Sequence, residues 1–187
     1  MTKYAMNAPY VILPFEQHQE IKEPLLNLIN GAHFNSPVDE DSQTSITKAD
    51  WFDAQNMTRD WVSFLANPLL PQLQVLYKEI GFDILRIHEI WFQQYLTGSE
   101  HGWHSHSSNF TNVYYLEFPE NSPKTLLLDP FDRSTVIEVD VKEGDLLAFP
   151  SYVLHKAPKV DTGNRKTIIS YNIDCDISND FYKTIGK

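Results

Sequence analysis

The chain has 187 residues, of which 42% are hydrophobic and 13% aromatic, a composition typical of a packed globular protein rather than a disordered one. Its 25 acidic and 15 basic residues give a formal net charge of −10, which argues against a nucleic-acid partner or an anionic membrane surface. The single cysteine, Cys175, excludes an intramolecular disulfide and favours a reducing compartment. No apolar run approaches a membrane span and no signal peptide is evident, so we expect a cytoplasmic protein.

The first part of the chain has mixed patterns. Apolar residues at helical spacing predict helices within residues 16–31 and 58–81, and Asn67-Pro68 is expected to divide the second stretch into two helices. Residues 35–50 between them are polar and rich in turn-forming residues, which predicts a loop.

The second part consists of β-branched and aromatic runs separated by Gly, Pro, Asn and Asp. Strands at this spacing favour a sandwich or barrel over alternating strand–helix units. We therefore predict one domain, in which residues 1–82 form a mixed helical part that packs on a β core of residues 83–175. The predicted strands are 83–96, 110–117, 124–128, 134–141, 145–149 and 165–173.

Three histidines have the spacing of a metal site. His104 and His106 are two residues apart, so on an extended segment their side chains point to the same side. His155 follows 49 residues after His106, at the end of an apolar run, and could supply a third imidazole. Three such ligands leave other coordination positions of a metal open to reactants. The alternative at this point is a polar loop whose histidines bind nothing.

An arginine follows the third histidine closely. Arg165 lies ten residues after His155, and Thr167 shares its face on the strand that begins there. A buried arginine needs an anionic partner, so an inward Arg165 would indicate a carboxylate ligand. The alternative is an exposed arginine after a turn.

These residues together resemble the iron(II)/2-oxoglutarate-dependent oxygenases, and most closely small bacterial and phage members of that family. The resemblance rests on His104-x-His106, on the segment Gly144-Asp-x-x-x-Phe-Pro-Ser-x-x-x-His155 and on Arg165-x-Thr167, and it covers roughly residues 83–175. It implies a mainly β fold with flanking helices, the double-stranded β-helix or jelly roll.

The resemblance also implies a cofactor and a co-substrate. Fe(II), or another divalent metal, would be held by His104, His106 and His155, with 2-oxoglutarate chelating the metal. Arg165, helped by Thr167, would bind the distal carboxylate of 2-oxoglutarate. The implied reaction hydroxylates a small-molecule or amino-acid/peptide substrate with O2 and converts 2-oxoglutarate to succinate.

The sequence departs from the family pattern at one ligand. The usual triad is His-x-Asp or His-x-Glu with a distal histidine, whereas His106 occupies the carboxylate position here. Four acidic residues remain candidates for a carboxylate ligand elsewhere, namely Asp83, Glu89, Glu100 and Asp129.

Further residues are candidates for the surroundings of the metal. Residues 35–57, which include Trp51 and Phe52, could form a lid over the site. The candidates for the pocket itself are Gln93, Tyr95, Trp103, Asn112 and Tyr114.

Two other functions stay open. The spacing from Gly98 to His106, and from Gly144 to His155, also resembles the two cupin motifs, although the glutamate expected after His106 is missing. A cupin-type enzyme with three histidines would not use 2-oxoglutarate. The third hypothesis is a non-catalytic metal-binding jelly roll. The oligomeric state is open as well, with a homodimer as one alternative.

Overall fold

The computed structural model describes residues 10–178, which form two helices and twelve strands. The helices are α1 (His18–Gly31) and α2 (Asp60–Glu79), and a short 3-10 turn covers Trp51–Asp53. The strands are β1 (Val11–Pro14), β2 (Val38–Asp39), β3 (Thr44–Ser45), β4 (Lys48–Ala49), β5 (Ile84–Tyr95), β6 (His101–His104), β7 (Phe110–Glu117), β8 (Leu126–Leu128), β9 (Val136–Glu138), β10 (Asp145–Pro150), β11 (His155–Ala157) and β12 (Lys166–Asp176).

The strands form two main antiparallel sheets. The larger has the order β1-β10-β7-β12-β5-β4, the smaller has the order β6-β11-β8-β9, and β2 pairs only with β3. Side chains of both sheets, such as Tyr115, Leu127 and Phe149, belong to one buried apolar cluster. The prediction of a mainly β jelly roll with flanking helices is confirmed.

A second apolar cluster lies between the helices and the outer face of the larger sheet. It joins Leu25 of α1 and Leu69 of α2 to Tyr114, Ile169 and other residues of the sheet. Successive residues of a strand point to opposite faces. The central strands are therefore buried on both faces, one toward the helices and one toward the smaller sheet.

The prediction that Asn67-Pro68 divides the second helical stretch is wrong, because α2 runs without a break through Pro68. A proline inside a helix costs roughly 3 kcal/mol. A row of buried leucines crosses the proline, and burying each one is worth about 1.5–3 kcal/mol, so packing outweighs the local penalty. These residues are Leu65, Leu69, Leu73 and Leu76.

The loop predicted at residues 35–50 contains regular structure. It holds the β2–β3 hairpin and β4, and β4 pairs with β5 at one edge of the larger sheet, while β1 pairs with β10 at the other edge. The first 82 residues thus contribute strands to the sheet as well as helices on its outer face. Among residues 10–178 no helix is long and apolar enough to span a membrane.

Candidate metal centre

Three histidines converge where β6 and β11 meet. The two strands pair antiparallel with His104 opposite His155, and His106 follows two residues after the end of β6. The amide nitrogen of His106 donates to the carbonyl oxygen of Ser151 at 2.9 Å, which holds it beside the turn that leads into β11. One ligand atom from each of the three imidazoles lies within 4.8 Å of the others. The spacing in the sequence thus corresponds to a real cluster.

Hydrogen bonds to the backbone orient two of the three rings. Nδ1 of His104 lies 2.7 Å from the carbonyl oxygen of Gly102, and Nδ1 of His155 lies 3.0 Å from that of Val153. A carbonyl can only accept, so we assign the proton of each ring to Nδ1. Nε2 of each ring is then free to bind a metal, the arrangement usual for histidine ligands.

Burial favours the neutral form of all three rings. It lowers the pKa of His155 well below its ordinary value of 6.5 and the pKa of His106 to about 4. It lowers the pKa of His104 in the same way. Because a metal binds the neutral imidazole, the cluster is in its binding form at neutral pH.

A fourth histidine, His101, lies against the cluster. Its ring stacks on that of His104, with centroids 3.7 Å apart and an angle of 17° between the planes. Burial, together with the nearby His104 and His106, lowers the pKa of His101 to about 3. His101 was not among the predicted site residues, although it begins the histidine-rich run of residues 101–106.

The β2–β3 turn packs directly on β6 beside these rings. A Cβ atom added to Gly102 would lie 1.5 Å from the carbonyl oxygen of Ser42, so only glycine fits between the two backbones. The amide of Ser45 donates to the carbonyl oxygen of Glu100 at 2.8 Å. Part of the predicted lid at residues 35–57 therefore lies against the strand that carries His104.

A small cavity of about 20 Å³ between the two sheets adjoins the histidines. Two predicted pocket residues line it, Gln93 and Tyr95, and the hydroxyl of Tyr95 donates to Oε1 of Gln93 at 2.8 Å. The remaining lining is mostly apolar or hydroxylic. Besides His101 and the three clustered histidines it includes Trp91, Val113, Thr125, Ala157, Ile168, Ser170 and one charged residue, Lys156, which pairs with Glu100.

A lysine is buried beyond Tyr95. Lys166 is only 1% exposed, and its ammonium lies 5.5 Å from the ring centroid of Tyr95 and 5.2 Å from that of Phe118. Its Nζ donates to the carbonyl oxygen of Pro123 at 2.9 Å, and no salt bridge reaches it within residues 10–178. Burial without a counter-charge lowers the pKa of Lys166 to about 7. The alternation of β12 could have identified this residue, since Ile168 and Ser170 share its face.

Arg165 and Thr167 do not point into this cavity, contrary to the prediction. Nε and one terminal nitrogen of Arg165 donate to Glu117 at 2.7 and 3.2 Å, and the other terminal nitrogen donates to Asn30 at 3.1 Å. The hydroxyl of Thr167 donates to the same Glu117 carboxylate at 2.7 Å. Arg165 reaches Asn30 of α1, so its side chain lies on the helix-facing side of the sheet. Thr167 lies on the same side, because residues two apart on an extended segment share a face.

The other three pocket candidates also lie outside the cavity. Asn112 accepts a hydrogen bond from the hydroxyl of Tyr77 at 3.0 Å, and the hydroxyl of Tyr114 lies 2.7 Å from Nδ1 of His18. Both contacts are on the helix-facing side of β7. Trp103 is 40% exposed and does not line the cavity. The strand that carries Asn112 and Tyr114 was predicted correctly, but not the face on which these two residues lie.

None of the four acidic candidates joins the histidine cluster. Asp83 accepts from the amide of Ser178, Asp129 accepts from the amide of Phe131, and Glu100 pairs with Lys156 at 3.1 Å. Glu89 is nearer: it accepts from the side-chain nitrogen of Asn172 at 2.9 Å, and that nitrogen lies 3.5 Å from Nδ1 of His106. Within residues 10–178 the potential metal ligands are therefore the three histidines alone.

No protein-family model matches this sequence, and no curated protein sequence does. Solved structures match most of the chain. A 2OG-Fe(II) oxygenase-family oxidoreductase from Burkholderia pseudomallei has a TM-score of 0.71 at 14% identity, covering 88% of this chain and 84% of that one. A prolyl-4-hydroxylase from Pseudomonas putida has a TM-score of 0.63 at 15% identity, with 89% and 93% covered.

A third match is HygX from Streptomyces hygroscopicus, solved with nickel and 2-oxoglutarate bound, with a TM-score of 0.67 at 11% identity and 90% and 83% covered. This chain has the fold of the 2-oxoglutarate/iron(II) oxygenases. The resemblance predicted from the sequence is confirmed at the level of the fold. The fold is the property that these distant structures share with this chain.

Proposed function

We propose that this protein is an Fe(II)- and 2-oxoglutarate-dependent oxygenase that hydroxylates a small molecule or an amino-acid/peptide substrate. The observation that carries the proposal is the cluster of His104, His106 and His155 at the mouth of a cavity in a jelly roll of the oxygenase type. The single cysteine supports action in the cytoplasm, which is a reducing compartment.

The histidine cluster suits a divalent first-row metal. Neutral imidazoles bind iron, nickel, copper and zinc, and three of them on one side leave the other positions open. The backbone hydrogen bonds of His104 and His155 fix the ring orientations before a metal arrives, which reduces the cost of assembling the site. Bound iron, together with 2-oxoglutarate and O2, would supply the oxidising chemistry that hydroxylates a C–H bond and yields succinate and CO2.

We propose Lys166, in place of Arg165, as the cation that binds the distal carboxylate of 2-oxoglutarate. Lys166 is buried on the cavity side of β12, and within residues 10–178 its one hydrogen-bond acceptor is the backbone carbonyl oxygen of Pro123. A buried ammonium without an anion is unfavourable, and a carboxylate supplied by the co-substrate would relieve that cost. Arg165, in contrast, already has both an anion and an amide as partners.

The remaining cavity residues would orient the co-substrate and exclude water. Thr125 and Ser170 bring hydroxyl groups to the lining of this cavity. Val113 and Ile168 supply apolar walls that keep the dielectric low around the charged groups.

The decisive experiment measures succinate. The protein is purified without oxygen, loaded with Fe(II) and given 2-oxoglutarate and air; we expect succinate above a metal-free control. His155→Ala should abolish the signal, whereas His88→Ala, which changes an exposed histidine outside the cluster, should leave it intact. Absence of succinate from metal-loaded wild-type protein would remove the oxygenase proposal.

One observation favours a second candidate, a cupin-type metal enzyme that does not use 2-oxoglutarate. Its support is the three-histidine ligand set, to which no carboxylate contributes within the described residues. This candidate predicts metal binding without any affinity for 2-oxoglutarate. Calorimetry with the metal-loaded protein therefore separates the two.

A further inference from the structure

Two tryptophan rings, one buried and one exposed, lie between the metal cluster and the protein surface. The ring of Trp91 lies 5.6 Å from that of His106, and the ring of Trp51 lies 6.5 Å from that of Trp91. Trp91 is 2% exposed and Trp51 is 55% exposed. Because Trp51 keeps a free indole surface at the edge of the site, a molecule that approaches His106 from this side would meet it.

A carboxylate lies on the same edge. Glu89 precedes Trp91 by two residues on β5, so both side chains share a face. Gln55, four residues after Trp51, donates to Glu89 at 3.4 Å, so the segment 51–55 covers Glu89 as well as Trp91. The side-chain amide of Asn172 lies between Glu89 and His106, 2.9 Å from the carboxylate and 3.5 Å from Nδ1 of the imidazole.

Glu89 has no cationic partner within residues 10–178. The nearby Arg59, which donates to the carbonyl oxygen of Ile90 next to Glu89, pairs with Asp50 instead. The protein as a whole carries a net charge of −10. The region around Glu89 therefore attracts cations and repels anions.

Within residues 10–178 the hydrogen-bond donors to the carboxylate of Glu89 are neutral, namely the side-chain amides of Gln55 and Asn172. A substrate with a positive charge would supply the counter-charge that these amides lack.

We infer that the substrate carries a cationic ammonium group, bound between the exposed indole of Trp51 and the carboxylate of Glu89. This inference rests on the proposed function, since it names the substrate class of that site. Indole is the aromatic ring that attracts cations most strongly, and a carboxylate beside it adds direct charge complementarity. Gln55 and Asn172 hold the carboxylate in place through their amide nitrogens.

The test compares two probes of equal shape, choline and its uncharged isostere 3,3-dimethylbutan-1-ol. Each is titrated into protein loaded with Zn(II), and binding is followed by tryptophan fluorescence and by NMR. We expect choline to bind about 5-fold or more tightly than the alcohol. Trp51→Ala should weaken choline binding by about 2- to 30-fold, the range of a cation–π contact, and Trp51→Phe should retain part of it.

Glu89→Gln should remove the preference for choline, whereas Glu79→Gln, the same charge change at the exposed end of α2, should preserve it. Zinc content should be equal in both variants. A loss of zinc from Glu89→Gln alone would show that Glu89 supports His106 instead, and would overturn the inference. Equal binding of the two probes to wild type, or no binding of choline, would also overturn it.

The outcomes separate this inference from the proposed function, because probe binding requires no turnover. A preference for choline that depends on Glu89, without any succinate production, would contradict the oxygenase proposal and leave the cation site standing. Succinate production without a preference for choline would contradict the cation site and leave the oxygenase proposal standing.

Discussion

Arg165 and Lys166 are adjacent in the chain, yet their side chains lie on opposite faces of the larger sheet. Arg165 is bound to Glu117 and Asn30 on the helix-facing side, and Lys166 is buried between the sheets near Tyr95. Because the side-chain period of a strand is two, a shift of one residue exchanges the two faces. Of these two neighbouring cations, Lys166 is therefore the one on the side of the sheet that faces the cavity, next to the cavity residue Tyr95.

The first prediction concerns the affinity for 2-oxoglutarate. A hydrogen bond to a charged group is worth about 1.5–3 kcal/mol, so Lys166→Met should raise the dissociation constant of 2-oxoglutarate roughly 10- to 150-fold. Arg165→Met should change it by less than about 3-fold, because Arg165 is bound to Glu117 outside the cavity. Anaerobic calorimetry on the metal-loaded variants measures both constants, and thermal melting checks that they fold. The reverse order of effects would restore Arg165 as the binding cation.

The second prediction concerns stability and pH, and it requires no ligand. Burial lowers the pKa of Lys166 to about 7 from its ordinary value of 10.5. Between these two pH values the unfolded chain binds more protons than the folded one, so stability should rise with pH. Lys166 should contribute at most about 1.4 kcal/mol per pH unit to the rise of the unfolding free energy with pH. Below pH 7 its destabilising effect should be constant, because Lys166 is protonated in both the folded and the unfolded protein.

Urea denaturation of the wild type and Lys166→Met between pH 7 and 10 checks this slope. The difference in free energy of unfolding between the two proteins should favour the variant at pH 7 and shrink toward pH 10. A difference that does not change with pH would mean that Lys166 keeps its ordinary pKa in the folded protein.

The longer strands of the β core and the histidine cluster could be predicted because their signals are local, whereas the short strands β6 and β11, which carry His104 and His155, were not predicted. β7 was predicted with its actual bounds, Phe110–Glu117, since both faces of it are buried and its sequence is almost wholly β-favouring. His104 and His106 needed only the period of two, and His155 needed only its place after an apolar run. Each of these features is determined by residues that lie within a few positions of one another in the sequence.

What could not be predicted depends on packing between distant segments. A strand buried on both faces has no polar/apolar alternation, so nothing local showed that Asn112 and Tyr114 face the helices. The continuity of α2 through Pro68 depends on the surface that its leucines cover. The stacking of His101 on His104 depends on the twist of β6 and its irregular pairing with β11.

The third prediction tests the unusual ligand set. His106→Asp would restore a carboxylate to the cluster and add a negative ligand, so Fe(II) and Zn(II) should bind more tightly than in the wild type. His106→Ala should lose more affinity than the roughly 10- to 100-fold typical of changes around a metal site, because it removes one of three ligands. Competition against a chelator measures the constants. Equal metal affinity in wild type and His106→Ala would exclude His106 from the ligand set.

The last prediction concerns the close contact between Gly102 and the β2–β3 turn. A methyl group at residue 102 would lie 1.5 Å from the carbonyl oxygen of Ser42, which is backbone and cannot rotate away. Gly102→Ala must therefore displace the turn, at a cost of about 1–3 kcal/mol in the free energy of unfolding. Gly31→Ala is the matched control, because a Cβ there meets nothing within 4 Å and alanine favours a helix.

Displacement of the turn should also reach the metal cluster. The carbonyl oxygen of Gly102 accepts from Nδ1 of His104 at 2.7 Å, so movement of residue 102 disturbs the orientation of that ligand. We expect Gly102→Ala to bind Zn(II) more weakly than the wild type and to exchange its amide hydrogens faster at residues 39–45, with Gly31→Ala unchanged in both measurements. Faster exchange with full metal affinity would show that the turn covers β6 without positioning His104. Unchanged exchange and unchanged stability would mean that the turn does not rest on Gly102 in solution.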